Sequence, residues 1–326
     1  MFSRHTLPLA LGAAALLSHV LAAPALAGPV PAGIGPVAVQ AATVAADAPA
    51  STSTSTGARE RGARESRFPT RRSTGVPASQ RLRPYRGPCT ITRPGTVLVG
   101  RLVRCDLRVL APRVVVRRSL VHGTVSSGTD RSGRSSFTLA RSTVDVSPRG
   151  SRMATGVGEV RFRVLRSEVR GGNRGINCWH RCLVRDSWVH GQDTDRTGVW
   201  HESGIRMGTR GRIIGNRIAC DAPTVPPDAG CSAPLTGYGD FGPVRDNLIR
   251  RNLLVATTGG TCAYGGSSGG KPYSRQAARI RFVHNVFQRG RTGRCGYWAP
   301  VLDFDRRAPG NQFTGNRWTD GRRVRP

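Results

Sequence analysis

The chain has 326 residues and a formal net charge of +31, with 50 Lys plus Arg against 19 Asp plus Glu. A charge of this size favours a polyanionic partner: an acidic polysaccharide, a cell-wall polymer or nucleic acid. No segment after residue 27 is long and apolar enough to span a bilayer, and the alternative of an uncleaved anchor at the N-terminus is disfavoured by Ser18 and His19, which interrupt a run too short to span.

The chain opens as a secretory signal over residues 1–27. Arg4 and the amino terminus give a positive start, Leu7 to Leu17 is mostly apolar, and Ala25-Leu26-Ala27 is a small-residue cleavage site. Residues 28–84 read as a disordered linker. They are rich in Ala, Pro, Ser and Thr, include the low-complexity run Ser51 to Thr56, and end in an Arg-rich stretch. The remaining stretch, 85–326, is expected to form one domain. It holds all eight cysteines, an even number that in an exported chain favours disulfides. Pairing by neighbour gives 89–105, 178–182, 220–231 and 262–295. The rival reading, a metal site, lacks paired C-x-x-C knuckles. From Pro84 onward the chain carries 41 basic and 16 acidic residues, so the domain is basic as well as the linker. Arg outnumbers Lys almost completely, Lys271 being the single Lys, and a GC-rich genome is the plain alternative explanation of that skew.

Within the domain one phrase recurs: Ser or Asn, any residue, then an apolar residue. It occurs at Ser119-Leu120-Val121, Ser142-Thr143-Val144, Ser167-Glu168-Val169, Ser187-Trp188-Val189, Asn216-Arg217-Ile218, Asn252-Leu253-Leu254, Asn285-Val286-Phe287 and Asn316-Arg317-Trp318, at intervals of 23, 25, 20, 29, 36, 33 and 31 residues. A repeat of this length predicts a solenoid. Short β-branched runs precede most copies, and no helical period is sustained, so the units are strands. The expected fold is all-β: a right-handed parallel β-helix of about eight coils, monomeric. Asn at the repeated position would tolerate a left-handed bend, and stacked Asn or Ser side chains would bond to one another. The apolar residue would point inward and the next one outward. A looser column places Gly175-Ile176-Asn177-Cys178 over Gly204-Ile205-Arg206-Met207, with Thr261-Cys262-Ala263-Tyr264 further along.

Chemistry is expected between Cys178 and Arg206. Three of the five histidines after the signal lie between His180 and His201, and four acidic residues lie between Asp186 and Glu202. His190 or His201 is the candidate base, Arg206 the group that steadies a substrate carboxylate, and Asp193 with Asp195 the pair that would hold Ca²⁺, a hard ion that prefers oxygen. That set suits β-elimination of a uronic acid polymer. Trp188, Asn177 and Tyr264 are the candidate sugar contacts. For each there is a plainer structural role: a solvated rung, a loop hydrogen bond, an aromatic cap. Nucleic acid is the weaker polyanion, because the chain is exported and carries no recognition motif for it.

The stretch from about Val97 to the C-terminus resembles secreted right-handed parallel β-helix proteins of the pectate-lyase-like superfamily. The resemblance rests on Ser187-Trp188-Val189-His190, His201-Glu202-Ser203-Gly204-Ile205-Arg206, Asn216-Arg217-Ile218-Ala219-Cys220, Tyr264-Gly265-Gly266 and Gly315-Asn316-Arg317-Trp318-Thr319-Asp320. It implies an exported carbohydrate-active or carbohydrate-binding protein, a lyase if catalytic; the alternative is a non-catalytic surface or wall-polymer binder. Ser203 stands where the pattern has Asp, and Arg206 where it has Gln. The three-part Asp signature of polygalacturonases is absent.

Overall fold

The computed structural model describes residues 65–131, 133–149 and 153–326. The expected signal and residues 28–64 of the expected linker lie outside the described residues. The described chain is all-β. Its strands pair in parallel, each with the strand three further on, so three series of stacked strands wind together. The first series forms a ten-stranded sheet from Arg83–Pro84 to Arg317–Trp318. The second runs from Thr90–Ile91 to Val301–Leu302 and the third from Val97–Val99 to Gln312–Thr314. These two join where Thr209 pairs with Arg245. This is the arrangement expected of a parallel β-helix. No helix among the described residues is long and apolar enough to cross a membrane.

Alternation along each strand sends one side chain in and the next out. In the first series the inward column is Val121, Val144, Val169, Val189, Ile218, Leu254 and Phe287, all fully buried, closed by Trp318. The second series contributes Ile176, Ile205, Leu235 and Ala263, and the third Val116, Leu139, Val164, Val184, Ile213, Ile249 and Phe282. Each buried Val, Leu, Ile or Phe of these columns stabilises by roughly 1.5–3 kcal/mol.

The repeated Ser and Asn residues stack inside. Ser119, Ser142 and Ser167 each hand their backbone N–H to the hydroxyl oxygen of the next Ser, at 3.1–3.2 Å. Ser187 passes the ladder on to Asn216 Oδ1 at 3.0 Å, and the same bond continues through Asn252, Asn285 and Asn316. Each Asn also donates Nδ2–H to a buried strand carbonyl, Asn216 to Val184 and Asn252 to Ile213. These side chains are almost wholly buried, and the ladder satisfies the backbone polar groups at the bend that would otherwise go unpaired. The left-handed residue, expected at the Ser or Asn itself, is the one before it: Arg118, Arg141, Arg166, Asp186, Gly215, Arg251, His284 and Gly315 all have φ between 47 and 70°. The repeated position is selected for its hydrogen bonds and not for tolerance of that conformation.

All four cysteine pairs form as expected by neighbour, with Cα–Cα distances of 6.2, 5.5, 5.8 and 5.6 Å in chain order. They fit an oxidising, extracellular setting. Residues 65–84, inside the span expected as linker, are docked on the strands. Arg83 N–H bonds to Gly100 O, Val76 N–H to Thr143 Oγ1, and Glu65 Oε2 accepts from Gln288 Nε2. Rungs also precede the first Ser phrase, with Arg83 paired to Arg101 and Leu102 to Leu120, where Arg101 holds the Ser position.

Candidate functional site

The second series carries the candidate site. In strands Arg174–His180, His201–Thr209 and Gly230–Thr236, Asn177 pairs with Arg206 and Arg206 with Thr236. Leu235 pairs with Ala263, which places Tyr264 on the following rung. Ile176, Ile205 and Leu235 point inward, so Asn177, Arg206, Thr236 and Tyr264 form the alternate column. The interval from Asn216 to Asn252 is the longest of the repeat, and its extra residues build a wall over this column. Thr224, Asp228 to Ser232, Tyr238 and Asp240 belong to it, and together with Arg174, His201, Glu202, Ser203, Tyr264, Lys271, Trp298 and Asp303 they line an open groove of about 650 Å³.

Two neighbouring arginines stand out, Arg174 in the lining and Arg206 beside it. Arg206 is 8% exposed, ion-paired with Asp240, and its guanidinium lies 5.5 Å from the Tyr238 ring and 5.2 Å from that of Phe241. Burial would raise Asp240, but the Arg206 partner outweighs it and holds the carboxyl below its usual range. Arg174 is register-paired with Ser203 and donates Nε–H to Ser203 Oγ at 3.3 Å. Among the described residues no carboxylate lies within ion-pair distance of it. Burial and the neighbouring Arg206 charge make Arg174 easier to deprotonate than an ordinary arginine.

Glu159 accepts a hydrogen bond from Asn177 Nδ2. Burial pushes its carboxyl up to about 7, against the opposing pull of Arg174, Asn177 and Arg206. A carboxyl poised there can hold or release a proton near neutrality. Tyr238 is raised by burial, its hydroxyl bonded to Ser232, and its ring meets that of Tyr264 edge-on at 4.6 Å. Asn177 Oδ1 and Thr236 Oγ1, neighbouring rungs of this column on either side of Arg206, are buried without a hydrogen-bond partner. Glu202 is 1% exposed, raised by burial, and its Oε2 is likewise unpartnered.

The residues expected to act together are divided. Arg206, Asn177 and Tyr264 share one column, and His201 stands at the groove, exposed, with Nε2 3.3 Å from Asp228 Oδ1. His190 and Trp188 lie on the ten-stranded sheet instead. Their rings stack at 3.7 Å, and His190 Nε2 lies 3.0 Å from Glu168 Oε1. Burial would raise Glu168, but His190, Arg170 and Thr143 together lower it. Asp193 and Asp195 anchor their loop. Asp193 accepts from Ser147 Oγ and Gly172 N–H, and Asp195 from Thr197 and from the N–H groups of Val199 and Trp200. The Thr197 hydroxyl and these N–H groups hold Asp195 well below the usual carboxylate range. All four of these oxygens are thus engaged by the chain itself, and no group of three or more His, Cys, Asp and Glu among the described residues is placed to hold a metal ion.

Arg174, Glu159, Tyr238 and Asp240 were not expected from the sequence. Arg174 is hidden among many arginines and Glu159 stands alone between Gly158 and Val160. The signal for Tyr238 and Asp240 was the 36-residue interval. Set beside known proteins, the chain matches no family model, no curated protein and no solved structure.

Proposed function

We propose that this chain is an exported right-handed parallel β-helix protein of pectate-lyase-like architecture whose groove takes an acidic polysaccharide. The observation that carries the reading is Arg174: a half-buried guanidinium, facing the groove, whose strand partner is a hydroxyl and not a carboxylate. Glu159 and Asp240 act on Arg174 through space but neither forms an ion pair with it, and a substrate carboxylate would be a direct partner. The departure from the family pattern at Ser203 therefore exchanges an internal ion pair for a ligand-binding one. Tyr264 and Trp298, both in the lining, offer ring faces to a sugar.

The chemistry that suits the groove is β-elimination. Arg174 neutralises the uronate carboxylate, which acidifies the adjacent C–H. His201, which stands at the groove, takes that proton. The C–O bond to the neighbouring sugar breaks, leaving a C=C bond in the new chain end, and the departing oxygen takes a proton from the Tyr238 hydroxyl or water. Arg206, paired with Asp240, positions the column and carries no substrate charge. Ca²⁺ at Asp193 and Asp195 carries no step of this reading.

A second reading is a non-catalytic polymer-binding protein. It is favoured by the placement of His190 on the other sheet and by the neutralisation of Arg206. Incubation with pectate, alginate and glycosaminoglycans, followed by ultraviolet absorbance of unsaturated ends, separates the two. Absorbance lost in Arg174→Gln supports the lyase, whereas retention on a polyuronate gel without absorbance supports the binder. Neither turnover nor retention on any acidic polymer overturns both.

A further inference from the structure

We propose a second binding site outside the groove: the arginine-lined corner between the third and first series, which docks a linear acidic polysaccharide along the direction in which the strands stack. This rests on the acidic-polymer reading for its ligand class and on none of the groove's chemistry. The corner is a cleft of about 360 Å³ lined by Arg117, Arg118, Arg141, Arg166, Arg185 and Asp186, with Ala140 and Leu165 between them. The five arginines are exposed. Asp186 is the sole acidic residue of this lining and lies 3.5 Å from Arg185. Among the described residues Arg118, Arg141 and Arg166 have no carboxylate within ion-pair distance.

The spacing of the three is fixed by the backbone. Arg118 N–H bonds to Ala140 O, Arg141 N–H to Leu165 O and Arg166 N–H to Arg185 O, at 2.9–3.0 Å. Successive guanidinium stems therefore leave the corner one strand spacing apart, about 4.7–4.9 Å. A polymer bearing one anionic group per unit can meet such a row repeatedly.

The backbone conformation argues that these side chains are kept for what they bind. Arg118, Arg141 and Arg166 have φ of 49, 47 and 47°. That region disfavours any residue with a Cβ and suits glycine. Glycine does hold the same corner position at Gly100, Gly215 and Gly315. Codon composition does not explain the choice, because glycine codons are as rich in G and C as arginine codons. Four consecutive rungs, Arg118, Arg141, Arg166 and Asp186, thus carry a strained residue, three of them arginine, where glycine serves at other rungs of the column. The apolar patches at Ala140 and Leu165 favour a glycan, whose ring C–H faces can lie on them, over the phosphate ridges of duplex nucleic acid.

The test uses the full chain and a fluorescently labelled polygalacturonate oligomer, with anisotropy followed across salt concentration. The triple variant Arg118→Gly, Arg141→Gly, Arg166→Gly is expected to lose roughly tenfold in affinity and about 2 from the log–log salt slope, while Arg174→Gln, which removes one groove contact, loses no more than about 0.7. The triple variant should melt at or above the wild-type temperature, since glycine suits the conformation. Should it nevertheless fail to fold, the single Arg141→Asn is expected to lower the slope by roughly 0.7. An unchanged slope in either variant overturns the proposal, as does tighter binding of a labelled DNA duplex than of polygalacturonate. Loss of binding in Arg174→Gln alone would leave the groove reading standing and remove the corner.

Discussion

Arg174 Nε–H is hydrogen-bonded to Ser203 Oγ at 3.3 Å across a parallel register pair, so a half-buried guanidinium meets a neutral hydroxyl and not a carboxylate. Ser203→Asp would place a carboxylate against Arg174 and satisfy it internally. The expected result is at least tenfold weaker binding of an acidic oligosaccharide, about 1.4 kcal/mol, with the melting temperature unchanged or raised. Titration calorimetry beside thermal melting checks both halves.

Glu159 predicts a pH effect of definite sign. Its carboxyl is raised from 4.5 to about 7 in the folded chain, so the native state binds the extra proton. Its contribution is therefore greatest below pH 4.5, is lost as pH rises toward 7, and is absent above, with a span on the order of 3 kcal/mol. His180 acts in the opposite direction: burial and the Arg131, Arg181 and Arg210 charges lower it to about 4, so its neutral form favours folding as pH rises from 4 to 6.5. The difference between wild type and Glu159→Gln removes the histidine contribution. That difference should shift steadily between pH 4.5 and 7, and a flat difference would contradict the assignment.

The internal ladder predicts graded losses. Asn252 Oδ1 accepts from Asn216 N–H, and its Nδ2 donates to Ile213 O. Asn252→Ala leaves both groups buried and unpaired, a loss of about 3 kcal/mol or more. Asn252→Ser should cost less, because Ser119, Ser142, Ser167 and Ser187 keep the ladder bond with a hydroxyl. Denaturant midpoints at constant slope measure the order.

The disulfides should differ in worth with the loop they close. Removing Cys262–Cys295, with a separation of 33 residues, should cost about 3–4 kcal/mol, and removing Cys178–Cys182, with a separation of 4, about 2 kcal/mol. Paired Cys→Ala variants compared by thermal melting test the order.

The parts of this molecule legible in the sequence are those imposed by repetition. A one-residue error in strand register would turn the inward column outward, so Val121 through Trp318 kept an apolar residue at one fixed offset. The cysteines were legible because each bonds to its neighbour in sequence, within one turn for Cys178–Cys182 and Cys220–Cys231. The left-handed corner was hidden because Arg118, Arg141 and Arg166 occupy it in place of glycine, although Gly100, Gly215 and Gly315 marked the same offset. The alignment of Asn177 with Arg206 matches the strand register, whereas that of Thr261-Cys262-Ala263-Tyr264 was one residue out and passed over the Thr236 rung. Density of histidine and aspartate was a poorer guide: it pointed to His190 and Asp193, which belong to another sheet and to a loop anchor. Arg174 and Glu159 gain their character from burial and mutual proximity, which no short motif encodes.

The central claim is that Arg174 receives a substrate carboxylate. Its most direct test is calorimetric binding of a polygalacturonate oligomer and of its methyl ester to wild type and to Arg174→Gln, at a salt concentration that suppresses the corner. The account predicts that wild type prefers the acid by at least tenfold, about 1.4 kcal/mol, and that Arg174→Gln binds acid and ester alike. Equal affinity of wild type for both, or an undiminished preference in Arg174→Gln, would contradict it.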